Sequence, residues 1–151
     1  MAISSYLFKS TEEDICKLQE QDDIRARFEG IESTGIDPTT LTKLESILSG
    51  EDYYNICEKG NYSIIHRFSK DSGPVFIRSS KKLSKCLKEL HRNQKPEILK
   101  RWCDTQEMSL YGWTPDKAER IIDWMLSVSS DNNTSGEIML FLDLQPERTT
   151  I

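Results

Sequence analysis

The sequence predicts an α+β fold, with about four strands in a mostly antiparallel sheet that about five helices cover. Residues 138–142 are the longest apolar run of the chain, and their composition is typical of a strand buried on both faces. Residues 62–68 and 75–77 are β-prone segments on either side of a Gly-Pro turn, which indicates a hairpin. Elsewhere, apolar residues recur at helical spacing after residues that cap helices. Because an inner strand needs a layer on each side, we expect helices to cover the sheet.

Length and composition indicate a single domain over residues 1–151. The chain has 36% hydrophobic and 30% charged residues, enough for one buried core, and the polar residues 145–151 are expected to fray. No run is long enough to span a bilayer, and the first residues lack the basic and apolar regions of a signal peptide. The four cysteines are scattered without a Cys-x-x-Cys pair, so we expect a reduced cytoplasmic protein without a bound metal or cofactor.

The N-terminal part is predicted to contain a strand, a short helix and a less regular stretch. Residues 3–8 are β-prone and form the predicted strand. Ser10 followed by Glu13 has the spacing of a capping box, which predicts a short acidic helix after the strand. Residues 22–35 combine one helical turn with a loop between two glycines.

Four further helices are predicted downstream, each from a capping residue or a proline followed by apolar residues at helical spacing. Their starts are at Asp37, at Ser79 or Ser80, at Pro96 and at Thr114. Gly50 is expected to end the first of them. Residues 51–60 are predicted to form a polar connection, and residues 129–136 a loop before the last strand.

Charge is distributed unevenly along the chain. Residues 78–101 hold nine cations and two carboxylates, a balance of +7, whereas the whole chain carries −5, so the remainder carries −12. Four of these cations are spaced by four, three and four residues, which predicts a common helical face. They are Lys81, Lys85, Lys88 and Arg92. This face could dock an anion or an acidic partner, or it could be an ordinary solvated surface. Nucleic acid is a disfavoured ligand, because the chain is acidic and no aromatic residues interleave with these cations.

Three other residues are candidates for a pocket. His66 lies in a predicted strand, and Glu107 and Trp113 lie close together in the sequence near a predicted helix end. Tryptophans occur in binding surfaces as well as in cores, and we expect Trp102 to be in the core and Trp124 to be less buried than its neighbours. His66 has no partner at metal-ligand spacing, and the sequence contains no catalytic motif.

Several segments together resemble the YfbM-like group of small bacterial proteins. The features that carry the resemblance are the opening residues 3–8 with a short acidic helix, the leucine spacing of residues 41–50, the passage 75–90, and the ending Leu140-Phe141-Leu142-Asp143. The resemblance implies an α+β fold and a bacterial source. It implies no activity and no site residues.

Two classes of function are consistent with these observations. The first is a protein-binding domain of the immunity type, which neutralises a basic toxin or effector by direct binding. The net negative charge, the segregation of charge and the lack of a catalytic motif favour it. The alternative is an enzyme or small-ligand-binding domain whose fold assembles a pocket around His66, Glu107 and Trp113. A third hypothesis is an anion-binding surface at the four cations between residues 81 and 92.

Overall fold

A computed structural model describes residues 3–60, 62–69, 73–131 and 136–144. The strands are β1 (Ile3–Ser10), β2 (Gly30–Glu32), β3 (Ser63–Arg67), β4 (Val75–Arg78) and β5 (Glu137–Leu144). The helices are α1 (Glu12–Cys16), α2 (Ile24–Arg27), α3 (Pro38–Ser49), α4 (Tyr53–Glu58), α5 (Lys81–Lys88), α6 (Lys95–Cys103), α7 (Gln106–Leu110) and α8 (Pro115–Ser130). Within these ranges, none of the helices combines the length and the apolar character that a membrane span requires.

The strands form one antiparallel sheet in the order β2-β1-β5-β4-β3. The predicted α+β class is confirmed, although the described residues contain five strands and eight helices rather than about four and about five. The hairpin is also confirmed, since β3 pairs with β4. Residues 70–72 of its predicted turn lie outside the described residues, as do residues 132–135 of the predicted loop and the predicted tail 145–151. The first two residues of that loop belong to α8 instead.

Strand β5 is the central strand of the sheet and is buried on both faces, as predicted. Its neighbours are β1 along all eight residues and β4 along four. Because successive side chains of a strand point to opposite faces, β5 contributes to two separate cores. Ile138, Leu140 and Leu142 enter one of them, the major core, and Met139 and Phe141 enter the other, the minor core.

The major core lies between the sheet and five helices. Helices α3, α5, α6, α7 and α8 place buried apolar side chains in it. Trp102 is its largest fully buried residue, as predicted, and the Nε1–H group donates a hydrogen bond to the Thr40 carbonyl at 2.9 Å. This bond satisfies the polar atom of a buried indole and links α6 to α3.

The minor core is smaller and largely aromatic. Phe8, Phe76 and Phe141 come from the three inner strands, and the short helices α1 and α2 cover them with Ile15 and Ile24. The ring centroids of Phe76 and Phe141 are 5.1 Å apart, and those of Phe8 and Phe76 are 6.5 Å apart with an edge-on arrangement. Helices therefore cover both faces of the sheet, as expected for an inner strand.

The sequence predicts correctly where a helix begins if a strong capping residue stands at that point. Asp37 and Thr40 form a reciprocal capping box at α3, and Gly50 ends this helix in the left-handed conformation. The predicted capping role of Ser10 is wrong. Ser10 is the last residue of β1, where it pairs with Glu137, so the next residue, Thr11, caps α1.

Three short elements are absent from the prediction. The polar connection at residues 51–60 contains α4, which Asp52 caps, and Ile56 is its only buried residue. Helix α7 likewise buries only Met108. Strand β2 has three residues and lies in the stretch that was expected to be a loop. None of these elements is long enough to show a repeating apolar pattern, which is the signal that sequence prediction depends on.

Gly35 and Gly50 both have positive φ angles, of 89° and 75°, but their surroundings differ. A Cβ atom at Gly35 would lie 2.5 Å from Cγ of Tyr111, whereas one at Gly50 would meet no atom within 4 Å. We expect Gly50→Ala to lower the free energy of unfolding by about 1 kcal/mol, the cost of the backbone conformation. Gly35→Ala should lower it by about 2–4 kcal/mol, because the Tyr111 ring must also move. Urea denaturation measures both values, and equal losses would contradict this packing.

Candidate functional site

The three residues of the predicted pocket lie on opposite sides of the sheet. His66 is the cross-strand neighbour of Phe76 and faces the minor core, where its ring centroid is 5.1 Å from that of Phe68. Trp113 packs against the major core, and Glu107 lies on α7, which belongs to the same side. The structure therefore does not bring His66 together with the other two, and the prediction of one pocket around all three is corrected.

Two of these residues carry a buried nitrogen atom that has no hydrogen-bond partner among the described residues. These atoms are Nε2 of His66 and Nε1 of Trp113. In the part of the chain that the structure describes, no group of three His, Cys, Asp or Glu residues is placed to hold a metal ion.

The predicted face of four cations is not a single helical face. Helix α5 ends at Lys88, and the chain turns with a hydrogen bond from the Leu90 amide to the Leu87 carbonyl, so Arg92 lies outside the helix. Lys81 and Lys88, seven residues apart, line one groove beside α5, whereas Lys85 lines another. The prediction is corrected for both reasons: one cation is off the helix, and the others face two grooves.

The first groove has a volume of about 410 Å³ and lies between the start of α5 and the end of α8. Two of its three cations, Lys9 and Lys81, are engaged by neighbouring groups. Nζ of Lys9 donates to the carbonyls of Val128 at 3.1 Å and Asp131 at 3.0 Å, at the negative end of the α8 dipole. Nζ of Lys81 is 3.4 Å from a carboxylate oxygen of Glu137. These contacts give the two lysines structural roles.

The second groove, the α5–α6 groove, has a volume of about 750 Å³ and lies between α5, α6 and the end of α3. Apolar side chains and charged side chains both line it. The apolar ones are Ile47, Leu48, Leu90 and Ile98, and the charged ones are Lys82, Lys85, Glu89, Glu97 and Arg101. Lys82 differs from the other cations because it bonds Glu51, which also bonds Lys59; the two lysines lower the pKa of the Glu51 carboxyl.

A third groove, the Trp124 groove, has a volume of about 610 Å³ and lies where the β1–β2 edge meets α8. Trp124 is half-buried against the major core, as predicted, and Phe28 and Glu29 lie on the same groove. Its cations are engaged within the protein: Lys9 by the carbonyls described above, and Arg27 by Asp22 at 3.4 Å. Glu29 is exposed and forms no ion pair with any described residue.

The two faces of the sheet are covered by segments of opposite charge. Residues 11–32, which include α1 and α2, hold eight carboxylates and three cations, a balance of −5, and cover the minor core. The segment 78–101, with its balance of +7, places α5 and α6 over the major core. Burial raises the pKa of the Tyr6 phenol beside the acidic layer, and the Glu32 and Glu29 carboxylates raise it further. We call residues 11–32 the acidic layer.

Comparison of the chain with protein-family models, with curated proteins and with solved structures finds no match. The resemblance to YfbM-like proteins therefore stays a prediction. The arguments about function rest on the three grooves and on the distribution of charge.

Sequence reasoning identified some of the residues at these grooves, but not the grooves. Trp124 and Lys85 were singled out, one as a less buried tryptophan and the other as part of a cationic face. Phe28 and Glu29 were not predicted to line a groove. The spacing of Ile24 and Phe28 indicated only a helical turn, which ends at Phe28. No local signal relates Phe28 to Trp124, because they are far apart in the sequence and meet only through the β1–β2 edge.

Proposed function

We propose that the chain is a protein-binding domain that takes a basic partner at the Trp124 groove. The observation that carries this proposal is the combination, in one open groove, of a half-buried tryptophan with a carboxylate that lacks an internal ion-pair partner among the described residues. These residues are Trp124 and Glu29. Tryptophan is enriched among the residues that dominate the energy of protein interfaces, because it buries a large area with few rotatable bonds.

The groove suits a lysine or arginine side chain of the partner. A cation over the face of an indole is attracted by the electron density of the ring, and Glu29 offers it a carboxylate nearby. The cations of the groove do not compensate Glu29, because Lys9 and Arg27 already bind groups of the chain itself. A basic side chain would therefore find an attractive position that no described residue occupies.

The acidic layer supports the same choice of partner. It continues from the Trp124 groove, since Phe28 and Glu29 belong to both. A surface of one charge sign speeds the association with a partner of the opposite sign, and this effect weakens as the salt concentration rises. Neutralisation of a basic toxin or effector in the cytoplasm, as immunity-type proteins do, is the specific activity that we propose for this binding.

We expect Glu29→Arg to weaken binding of the basic partner by about tenfold or more, because a carboxylate beside the docked cation is replaced by a like charge. Glu20→Arg is the matched control: it makes the same charge change in the acidic layer, at an exposed residue that does not line the groove. The intact protein is used as bait in an extract of the organism that encodes it. The dissociation constant of the retained protein is then measured with the wild type and both variants.

The Trp124→Leu variant separates the role of the aromatic face from that of charge, since leucine keeps apolar contacts with the core. Both Glu29→Arg and Trp124→Leu should weaken binding, while Glu20→Arg should retain most of it. Retention of no basic protein, or equal affinities for the wild type and Glu29→Arg, would contradict the proposal. If the partner is a toxin, its co-expression with the wild-type chain should restore the growth of cells, and co-expression with Glu29→Arg should restore it less.

A further inference from the structure

We propose that the Trp124 groove selects an arginine side chain of the partner over a lysine side chain. This inference rests on the proposed function, which requires a basic side chain in the groove and leaves its chemistry open. The lining has three features that distinguish a flat guanidinium from a compact ammonium. They are the carboxylate of Glu29, the rings of Trp124 and Phe28, and the cations Lys9 and Arg27.

Glu29 is the main acceptor for the docked side chain. It is exposed and forms no ion pair with any described residue. A guanidinium binds the two oxygens of a carboxylate through two parallel N–H groups, and it keeps further N–H groups for other acceptors. Ser127, an exposed residue of the last turn of α8, lines the same groove and offers such an acceptor. An ammonium is a single point of charge, so it gains less from this arrangement.

The aromatic residues give the groove flat surfaces that are already ordered. Trp124 stands on α8 and packs against the major core, while Phe28 follows α2 and packs against the minor core. The Phe28 ring is stacked on Phe8 with the centroids 4.9 Å apart. A planar guanidinium stacks on an aromatic ring and still donates hydrogen bonds in its own plane, which an ammonium does not do. Because core contacts hold both rings, little conformational entropy is lost when a ligand binds between them.

The cations of the groove make the docking of a lysine less favourable. Lys9 and Arg27 are engaged by groups of the chain itself, but they keep their charge and line the groove. Removal from water and nearby positive charge both disfavour the protonated form of an amine. Arginine is less affected, because its charge is delocalised, weakly hydrated and retained at physiological pH. The groove therefore discriminates against lysine, although Glu29 and Trp124 attract either cation.

The test uses N-acetyl-arginine amide and N-acetyl-lysine amide as probes, because they carry the two side chains without a surrounding peptide. NMR titrations of the full chain follow the indole N–H signal of Trp124, which is assigned by its loss in Trp124→Leu. The arginine probe should bind in the millimolar range and at least about fivefold more tightly than the lysine probe. N-acetyl-citrulline amide has the shape of the arginine probe without its charge, and it should bind at least about fivefold more weakly than that probe.

Two variants locate the binding. Glu29→Gln keeps the size of the side chain and removes its charge, so it should weaken binding of the arginine probe by at least about fivefold. Glu20→Gln is the matched control at an exposed residue of the acidic layer that does not line the groove, and it should change this affinity by less than about twofold. An equal loss in the two variants would show that only the overall charge attracts the probe, and it would overturn the inference.

The remaining outcomes separate this inference from the proposed function. Equal affinities for the arginine and lysine probes, both lowered in Glu29→Gln, overturn the selectivity and leave the Trp124 groove as a site for any basic side chain. Tighter binding of the lysine probe has the same meaning. If neither probe moves the Trp124 signal, the groove does not bind cations, and the inference fails together with the observation that carries the proposed function.

Discussion

Replacing Leu140 with aspartate is expected to unfold the protein, and the same replacement at the adjacent Met139 should do so as well. Leu140 is buried in the major core and Met139 in the minor core, so each aspartate would be an unpaired charge in an apolar interior. Such a change costs on the order of 5 kcal/mol or more, which is comparable to the whole stability of a small domain. Far-UV circular dichroism and a urea titration would record the loss of folded protein.

Testing the adjacent residues Met139 and Leu140 together shows whether both faces of β5 are buried. In a strand with one solvated face, one of two adjacent aspartates would point to water and be tolerated. The matched control is Ser63→Asp, which introduces the same charge at an exposed position of the outer strand β3 and should change the free energy of unfolding by less than about 1 kcal/mol. A stable Met139→Asp variant would show that the minor core does not shield β5, and it would contradict the two-sided burial of this strand.

Replacing Trp102 with alanine should lower the free energy of unfolding by about 3–5 kcal/mol. The indole is fully buried in the major core, and its removal leaves a cavity that the surrounding helices cannot close completely. Trp102→Phe is the control that keeps an aromatic ring but loses the hydrogen bond to the Thr40 carbonyl, and it should cost about 1–3 kcal/mol. Urea denaturation followed by circular dichroism measures both losses. A loss below about 1 kcal/mol in Trp102→Ala would contradict the central position of this residue.

The elements that the sequence predicts well are those whose own residues contain the signal. Helix α3 has a capping box at one end, a left-handed glycine at the other and apolar residues in between. Strand β5 has an apolar run with no polar alternation, and the structure buries both of its faces. In contrast, α4, α7 and β2 are too short to carry an apolar pattern of their own. Their formation depends on contacts with other elements, which the local sequence does not reveal.

The grooves illustrate a second limit of sequence reasoning. The spacing of Lys81, Lys85 and Lys88 is helical, as predicted, but only the positions of α3, α6 and α8 around α5 decide which groove each lysine faces. The end of the helix before Arg92 depends on one turn between two short helices, which spacing alone does not reveal. A surface formed by separate segments becomes visible only once the packing of those segments is known.

The pairing of β1 with β5 has a consequence for the synthesis of the protein. Ile3 lies opposite Leu144 and Ser10 opposite Glu137, so β1 hydrogen-bonds with a strand that leaves the ribosome much later. The two central cores both depend on that late strand, and neither can close while it is still inside the exit tunnel. Contacts between such distant parts of a chain form slowly compared with local ones. The nascent polypeptide must therefore keep the apolar side chains of β1 from associating with other molecules until translation has passed residue 144.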